Sequence, residues 1–261
     1  MTPPKAPPLA SLAGATLVVT RPAASAASLV RPIRARHGTP LALPGLSLRA
    51  SDAGLAPLRA AGRYDGWIFV SPAAVRFAFR AEPSLRIASG AWVCSVGAGT
   101  RRALARHGIA AVAPSERADS EGLLALPDLA EVRGRRVALV GAPGGRELIA
   151  ATLRARGAEV EAVHVYERMP PRWSARQLQA LAQASAPLIT LLSSGEALSN
   201  LVAQLPRDTL ARLRRQMLVV SSERLAALAR ANAFEDVHVA ASALPADLLA
   251  AAQKALARHR L

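Results

Sequence analysis

Several residue types are scarce in this sequence, and each scarcity excludes a class of protein. Cys94 is the only cysteine among 261 residues, so no disulfide framework can hold the fold. Aromatic residues make up 3%, which leaves few rings for stacking on nucleic-acid bases. No apolar run is long enough to cross a bilayer, and the N-terminal MTPPKAPPLASLAG has no apolar stretch of signal-peptide length. We therefore expect a soluble cytoplasmic protein whose single thiol is a small core residue.

Lysine is also nearly absent, at positions 5 and 254 only, yet the formal net charge is +15 because arginine is abundant. Such a charge is typical of proteins that bind nucleic acid, an anionic membrane surface or a strongly acidic small molecule. A genome rich in G and C would also raise alanine and arginine together. The arginines are dispersed rather than clustered, so a nucleic-acid groove is poorly supported.

Short apolar runs alternate with Ala/Leu/Arg-rich segments along the chain. Hydrophobic residues form 51% of the sequence, enough for a sizeable core. Strands that alternate with helices predict parallel sheets, and continuous apolar runs are typical of strands covered on both faces. The predicted strands are residues 17–20, 67–70, 92–96, 137–140, 188–192 and 217–220.

An internal repeat indicates two related α/β domains. FVSPAAVRFAF around Ser71 is similar to LLSSGEALSNL around Ser194, which lies 123 residues later. ALARHG and ALARAN match at an offset of 124, and Leu124 of SEGLLAL and Leu248 of PADLLAA also lie 124 residues apart. The segment VVTRPAA…ARHG matches VGAPGGR…RARG, with Gly38 and Gly157 119 residues apart. Two proline-containing segments, 39–45 and 163–171, each follow such a unit. We expect them to pair as a two-stranded connector.

The turns after the predicted strands carry Ser, Thr or Gly before a helix. VALVGAPGGR at 137–146 lacks both the GxGxxG spacing and the Gly-Lys-Ser/Thr ending of nucleotide loops. Free backbone N–H groups at a helix start can bind any anion, including carboxylates. Ser71, Ser194 and Ser222 stand where a helix N-cap alone would explain a hydroxyl. The five histidines show no metal-ligand spacing, so we expect no metal.

Of the two tyrosines, Tyr64 at the start of a strand is predicted to pack in the core. Tyr166 falls in the predicted connector, where its side chain would face a cleft. Its hydroxyl could donate a hydrogen bond or a proton. A packing role for this tyrosine explains the sequence equally well.

An ordered set of motifs resembles the uroporphyrinogen-III synthase family from about residue 15 to 255. The motifs are TRP at 20–22, YDGWIFVSPAAV at 64–75, SVGAGTRRAL at 95–104, DSEGLL at 119–124, GAPGGRELIAATLRARGAEV at 141–160, YER at 166–168 and VVSSERLAALA at 219–229. The resemblance implies two domains joined by a two-stranded connector, with the active site in the cleft between them. With the crossings above, it predicts one domain of residues 1–42 and 170–261 and another of residues 43–169.

The implied reaction is cyclisation of hydroxymethylbilane to uroporphyrinogen III, with inversion of ring D and loss of water. Tyr166 and Thr100 match the family's catalytic hydroxyls. Substrate-binding positions then fall at Arg21, Ser71, Gly97, Ala98, Arg146, Ser194 and Ser222. The 124-residue offset places Arg224 opposite Thr100 in the other domain, so no second hydroxyl is expected there.

The resemblance further implies no cofactor and no metal, and a monomer whose partner is a linear tetrapyrrole with eight carboxylates. No nucleic-acid or membrane partner is expected. Two other functions fit parts of the sequence: a non-catalytic two-domain anion-binding protein and a basic nucleic-acid-binding protein. The absence of a signal-peptide pattern disfavours the first, and dispersed charge disfavours the second.

Overall fold

The computed structural model describes residues 11–117, 119–144 and 147–259. Its strands are β1 (Thr16–Val19), β2 (Thr39–Ala42), β3 (Ser47–Ala50), β4 (Gly66–Phe69), β5 (Trp92–Ser95), β6 (Arg136–Gly141), β7 (Glu159–His164), β8 (Tyr166–Met169), β9 (Leu188–Leu192), β10 (Met217–Val220) and β11 (Val237–Val239). Its α-helices are α1 (Ala23–Arg34), α2 (Leu55–Arg59), α3 (Pro72–Ala81), α4 (Ala98–Ala105), α5 (Ser120–Leu124), α6 (Glu147–Ala155), α7 (Ala175–Ala182), α8 (Gly195–Gln204), α9 (Arg207–Arg214), α10 (Glu223–Ala231) and α11 (Pro245–His259).

The chain divides into two compact units. The first comprises Met1–Ser47 and Met169–Leu261, and the second comprises Leu48–Arg168. The domain limits expected from the sequence stay a prediction. No helix within the described ranges is long and apolar enough to cross a membrane.

A five-stranded parallel sheet, in the order β11-β10-β9-β1-β2, forms the centre of the first unit. Successive side chains of β1 point to opposite faces, as a strand requires. Leu17 and Val19 pack with α1 and α11, whereas Val18 packs with α8 and α10. Both faces are therefore buried, which explains why the central strands are continuous apolar runs.

The second unit contains a four-stranded parallel sheet in the order β5-β4-β6-β7. Val112 adds one parallel bridge beside Cys94 on β5. Trp67 and Phe69 of β4 face one core cluster and Ile68 faces the other. Cys94 is buried, and this burial raises the pKa of its thiol to about 12, so its predicted role as a small core residue is confirmed.

The strand orders of the two sheets correspond one to one, which confirms the fold predicted from the repeat. β5, β4, β6 and β7 occupy the places of β10, β9, β1 and β2, and the Val112 bridge lies where β11 lies in the first unit. Each sheet has helices on both faces. Both units are therefore doubly wound α/β structures built on one plan.

The connector is two-stranded, but one of its strands was wrongly located from the sequence. β3 pairs with β8, and the backbone N–H of Ser51 donates to the carbonyl of Val165 at 3.1 Å. Residues 39–42 instead form β2 and pair with β1 at the sheet edge. An edge strand is only half covered, so this segment lacks the continuous apolar pattern of a central strand.

Helices α4 and α10, which follow β5 and β10, correspond at an offset of 125 residues and not at the 124 expected from the sequence. The N–H of Ile109 donates to the carbonyl of Leu104, and the N–H of Phe234 donates in the same way to that of Ala229. Leu104 is fully buried, whereas Leu228, its expected match, is 36% exposed. Burial sets the equivalence here, because only the core-facing side chain can occupy the same place in both units.

A similar shift occurs between the ends of helices α1 and α6, which correspond at an offset of 120 residues instead of the expected 119. His37, with a φ of 62°, and Gly157, with a φ of 87°, end their helices in the left-handed conformation. The next residues, Gly38 and Ala158, donate to the carbonyls of Ile33 and Leu153 at 3.0 Å in both cases. Gly157 therefore corresponds to His37, not to Gly38.

Candidate functional site

The predicted site residues of the second unit follow adjacent strands of its sheet. Ser71 follows β4, and Gly97 and Ala98 follow the neighbouring β5. Because parallel strands share a direction, these residues lie together at the carboxyl ends of the sheet. A Cβ on Gly99 would be 3.6 Å from Pro72, so the starts of α3 and α4 are neighbours.

Ser71 and Tyr166 are brought together at this edge. Ser71 is the N-cap of α3, and its hydroxyl accepts from the N–H of Ala74 at 3.0 Å. The same Oγ lies 3.3 Å from the phenolic oxygen of Tyr166, within hydrogen-bond distance. The two hydroxyls, 95 residues apart in sequence, thus form one polar pair at the carboxyl end of β4.

The ring of Tyr166 packs in the core of the second unit instead of facing a cleft, so the packing role that the sequence left open is present. It is 3% exposed and stacks on Phe77, with ring centroids 5.2 Å apart and planes 20° from parallel. Phe77 lies on α3, six residues after Ser71, so one helix contacts both the hydroxyl and the ring face of Tyr166. Phe77 was not identified from the sequence, although its place on the helix that Ser71 caps was available as a signal.

Thr100 is buried one turn into α4. Its N–H donates to the carbonyl of Gly97 at 3.0 Å, and Gly97 caps the helix without a side chain. At the offset of 125 its counterpart in the first unit is Leu225, because the N–H of Leu225 donates in the same way to the carbonyl of Ser222. The expectation that Arg224 stands opposite Thr100 is therefore wrong, although the absence of a second hydroxyl at this place holds.

The turn after β6 owes its glycine to close packing. A Cβ on Gly141 would come within 2.8 Å of the side chain of Val70, which follows β4. Gly144 turns the chain with a φ of 67°. Arg146, expected to bind substrate, lies outside the described residues.

In the first unit, the predicted residues follow three adjacent strands in the same arrangement. Arg21 follows β1, Ser194 follows β9 and Ser222 follows β10. Ser194 and Ser222 are N-caps whose hydroxyls accept from the N–H of Ala197 and of Leu225, both at 3.3 Å. The N-cap role that the sequence left open is thus present at Ser71, Ser194 and Ser222 alike.

Arg21 is a partly buried cation. Its guanidinium donates to the hydroxyl of Ser28 at 3.1 Å and to the carbonyl of Ala243. Burial lowers the pKa of this guanidinium from its usual value. Within the described ranges no carboxylate lies at ion-pair distance from Arg21, which leaves its charge available to an anionic ligand.

Tyr64 serves a different purpose from Tyr166. Its hydroxyl donates to Glu161 at 2.8 Å and accepts from Arg63 at 2.9 Å, and its ring packs edge-on against Trp67. Burial, followed by the bond to Glu161, raises the pKa of Tyr64. A groove of about 380 Å³ beside Tyr64 is lined by paired charges such as Arg136 and Glu159. It lies at the amino ends of the strands, the opposite end of the sheet from the turns that carry the predicted site residues. Tyr64 is therefore a packing residue, as predicted.

Together these features define a class. The chain is a duplicated α/β protein in which each parallel sheet presents hydroxyl, glycine or arginine turns at its carboxyl ends. Among the residues that the structure describes, no three His, Cys, Asp or Glu side chains are grouped as metal ligands.

The family described as uroporphyrinogen-III synthase HemD matches residues 27–250. The chain belongs to the uroporphyrinogen-III synthase family. It is 37% identical over 159 residues to the uroporphyrinogen-III synthase of Escherichia coli K12, an alignment that covers 59% of this chain and 65% of that protein. The corresponding protein of Salmonella typhimurium is 39% identical over 142 residues, covering 54% and 57%. The chain thus aligns with less than two thirds of the length of these relatives.

Solved structures with the same name share the fold. A mutant uroporphyrinogen III synthase from the extremely thermophilic bacterium Thermus thermophilus superposes with a TM-score of 0.59 at 18% identity, covering 94% of this chain and all of that one. The Helicobacter pylori 26695 protein gives a TM-score of 0.63 at 11% identity, covering 92% and 98%. At such identities the likeness establishes the α/β architecture.

Proposed function

We propose that this protein is a uroporphyrinogen-III synthase, a lyase that cyclises hydroxymethylbilane with inversion of ring D and loss of one water. The family match over residues 27–250 is the observation that carries the proposal. The strand-end turns support it, because they supply a hydroxyl pair, helix N-termini and an arginine without a carboxylate partner in the described ranges, the groups that an acidic, proton-requiring substrate needs.

In this mechanism Tyr166 is the general acid. Its O–H proton passes to the oxygen of the substrate's hydroxymethyl group. The carbon–oxygen bond then breaks, water departs, and the substrate becomes an azafulvenium cation. The ring-D carbon that already bears a bridge then attacks this cation to form a spiro intermediate. The bond from that carbon to its original bridge breaks, and the freed bridge carbon bonds to the opposite α-carbon of ring D, which inverts the ring. Ring closure later releases one proton from the substrate, which balances the proton given by Tyr166, so the net change is the loss of water.

Binding in this proposal depends on charge. The substrate has eight carboxylates, and the formal net charge of the protein is +15. Arg21 in the first unit and the free N–H groups at the starts of α4 and α10 are the expected partners, because helix N-termini and guanidinium groups both bind carboxylates well. Helix starts of this kind include five of the site residues predicted from the sequence: Gly97, Ala98, Thr100, Ser194 and Ser222. A basic surface also increases the rate of encounter with a polyanion.

Selectivity would come mainly from positioning. Hydroxymethylbilane also closes without help, but ring D is then not inverted. The protein must hold the chain so that the spiro path is faster than direct closure, an effect of orientation rather than of a reactive group. We further propose that the protein works in the cytoplasm as a monomer, without metal or cofactor.

The test supplies hydroxymethylbilane to the purified protein and resolves the uroporphyrin isomers after oxidation. We expect type III product from the sample with protein. A protein-free control should contain only type I product, from the uncatalysed reaction. Type I as the sole product in both samples would refute the proposed function.

A further inference from the structure

We infer that Ser71 is a positioning residue whose hydroxyl donates a hydrogen bond to the phenolic oxygen of Tyr166 while Tyr166 gives up its proton to the substrate. This inference rests on the proposed function and deepens it. It starts from the 3.3 Å separation of the two oxygens, at which either hydroxyl can be the donor.

Loss of the Tyr166 proton fixes the direction of this hydrogen bond during the reaction. A serine hydroxyl has one proton and two acceptor positions. The N–H of Ala74 occupies one acceptor position at 3.0 Å. As Tyr166 becomes an anion it can no longer donate, so the bond between the two oxygens must run from the Ser71 hydroxyl to the phenolate. The departing proton of Tyr166 then points away from Ser71, toward the leaving oxygen of the substrate.

Helix α3 strengthens this bond. The helix has ten residues and begins directly after Ser71, so its free N–H groups give that end a partial positive charge. The N–H of Ala74 polarises the Ser71 hydroxyl, which makes that hydroxyl a better donor. Phe77 of the same helix stacks on the ring of Tyr166 and fixes its orientation. One helix therefore holds the ring and supports the negative charge on its oxygen.

The described part of the first unit lacks this arrangement. Ser194 caps α8 in the same way, but within the described ranges its hydroxyl forms a hydrogen bond only with the N–H of Ala197. A second hydroxyl beside an N-cap serine is thus a feature of the second unit and not a consequence of the fold. The cap alone cannot explain the Ser71–Tyr166 pair.

The experiment compares Ser71→Gly and Ser71→Thr with a matched control at another cap, Ser174→Gly. Glycine is tolerated at N-caps with a small loss of stability, so it removes the donor and keeps the helix. Ser174 caps α7 by the same bond, to the N–H of Gln177 at 3.3 Å, and takes no part in the proposed site. The measurement is kcat and KM for type III product, with isomers resolved.

We expect Ser71→Gly to lower kcat about 100-fold with KM nearly unchanged, the size typical for losing one donor to a developing oxyanion. Ser71→Thr should restore most of kcat, and Ser174→Gly should match the unsubstituted protein. In a Tyr166→Phe background, Ser71→Gly should cause no further loss, because Ser71 acts only through Tyr166.

Equal losses from Ser71→Gly in the presence and absence of the Tyr166 hydroxyl would overturn the inference, as would an unchanged kcat in Ser71→Gly. In both cases an unsubstituted protein that makes type III product leaves the proposed function standing. Type I product alone from the unsubstituted protein would instead overturn the proposed function together with this inference.

Discussion

The two units hold corresponding chain segments with different chemistry. In the second unit Phe77 of α3 stacks on Tyr166, where the chain leaves the sheet. In the first unit Asn200 has the same place on α8, six residues after the N-cap serine, and its side chain donates to the carbonyl of Gly45 at 2.9 Å. Each contact holds the chain segment that leaves the sheet against the helix after the N-cap serine, α3 in one unit and α8 in the other. The contact in the second unit also places a side-chain hydroxyl, that of Tyr166, at the sheet edge.

This difference separates what the fold requires from what the proposed chemistry requires. The N-cap serines Ser71 and Ser194 are common to both units and are explained by helix capping. The stacked pair of Phe77 and Tyr166 belongs to the second unit. In our account the first unit contributes anion binding, through residues such as Arg21, and the second contributes the proton donor.

The largest stability difference is expected at this pair of positions. Phe77→Ala removes a buried ring and should lower the free energy of unfolding by about 3–5 kcal/mol, whereas Asn200→Ala loses one hydrogen bond, worth about 0.5–1.5 kcal/mol. Denaturant unfolding of each variant measures the two values. Equal losses in the free energy of unfolding would show that the aromatic contact stabilises the protein no more than the amide hydrogen bond does. Phe77→Leu fills part of the volume of the ring, so its loss should fall between the other two.

A smaller difference is expected where the helices after β5 and β10 end. Gly108 and Ala233 occupy corresponding turns with φ values of 73° and 63°, a conformation that favours glycine. Among the described residues nothing lies near a Cβ on Gly108, so Gly108→Ala should cost only backbone strain, about 1–2 kcal/mol. Ala233→Gly should stabilise the protein by a similar amount. Thermal unfolding tests both, and shifts of the same sign would show that these turns are not equivalent.

The smallest effect is expected at a buried polar group in each central strand. Thr190 of β9 and Trp67 of β4 correspond at the offset of 123, and within the described ranges neither the threonine hydroxyl nor the indole N–H has a hydrogen-bond partner. Thr190→Val keeps the shape and removes the unpaired hydroxyl, so a gain of about 1 kcal/mol is expected. Trp67→Phe should be destabilising, because the cavity it leaves outweighs the lost N–H. Midpoints of urea unfolding measure both changes, and a destabilised Thr190→Val variant would mean that the hydroxyl is satisfied.

The strands with buried, continuous apolar runs were predictable from the sequence, and the half-exposed edge strands β2 and β11 were not. The predicted ranges 188–192 and 217–220 coincide with β9 and β10 because strands buried on both faces are continuous apolar runs. β2 and β11 lie at sheet edges, are half exposed and contain Pro40 and His238, so the pattern gives no such signal. The edge position of residues 39–42 explains why they were assigned to the connector.

The site was only partly predictable, for a related reason. A serine between an apolar run and a helix indicates an N-cap locally, and Ser71, Ser194 and Ser222 all have that role. The contact of Ser71 with Tyr166 spans 95 residues and depends on how β8 follows the sheet, which no local pattern encodes. The catalytic and binding roles of these residues stay predictions.

The most direct test of the account is the rate of type III product formation by Tyr166→Phe. This variant keeps the stacked ring and removes only the hydroxyl, so its unfolding should be almost unchanged. If the second unit supplies the proton, the rate should fall by about 100- to 10,000-fold, the range typical for losing a general acid. A variant that folds normally and forms type III product at the full rate would contradict the account.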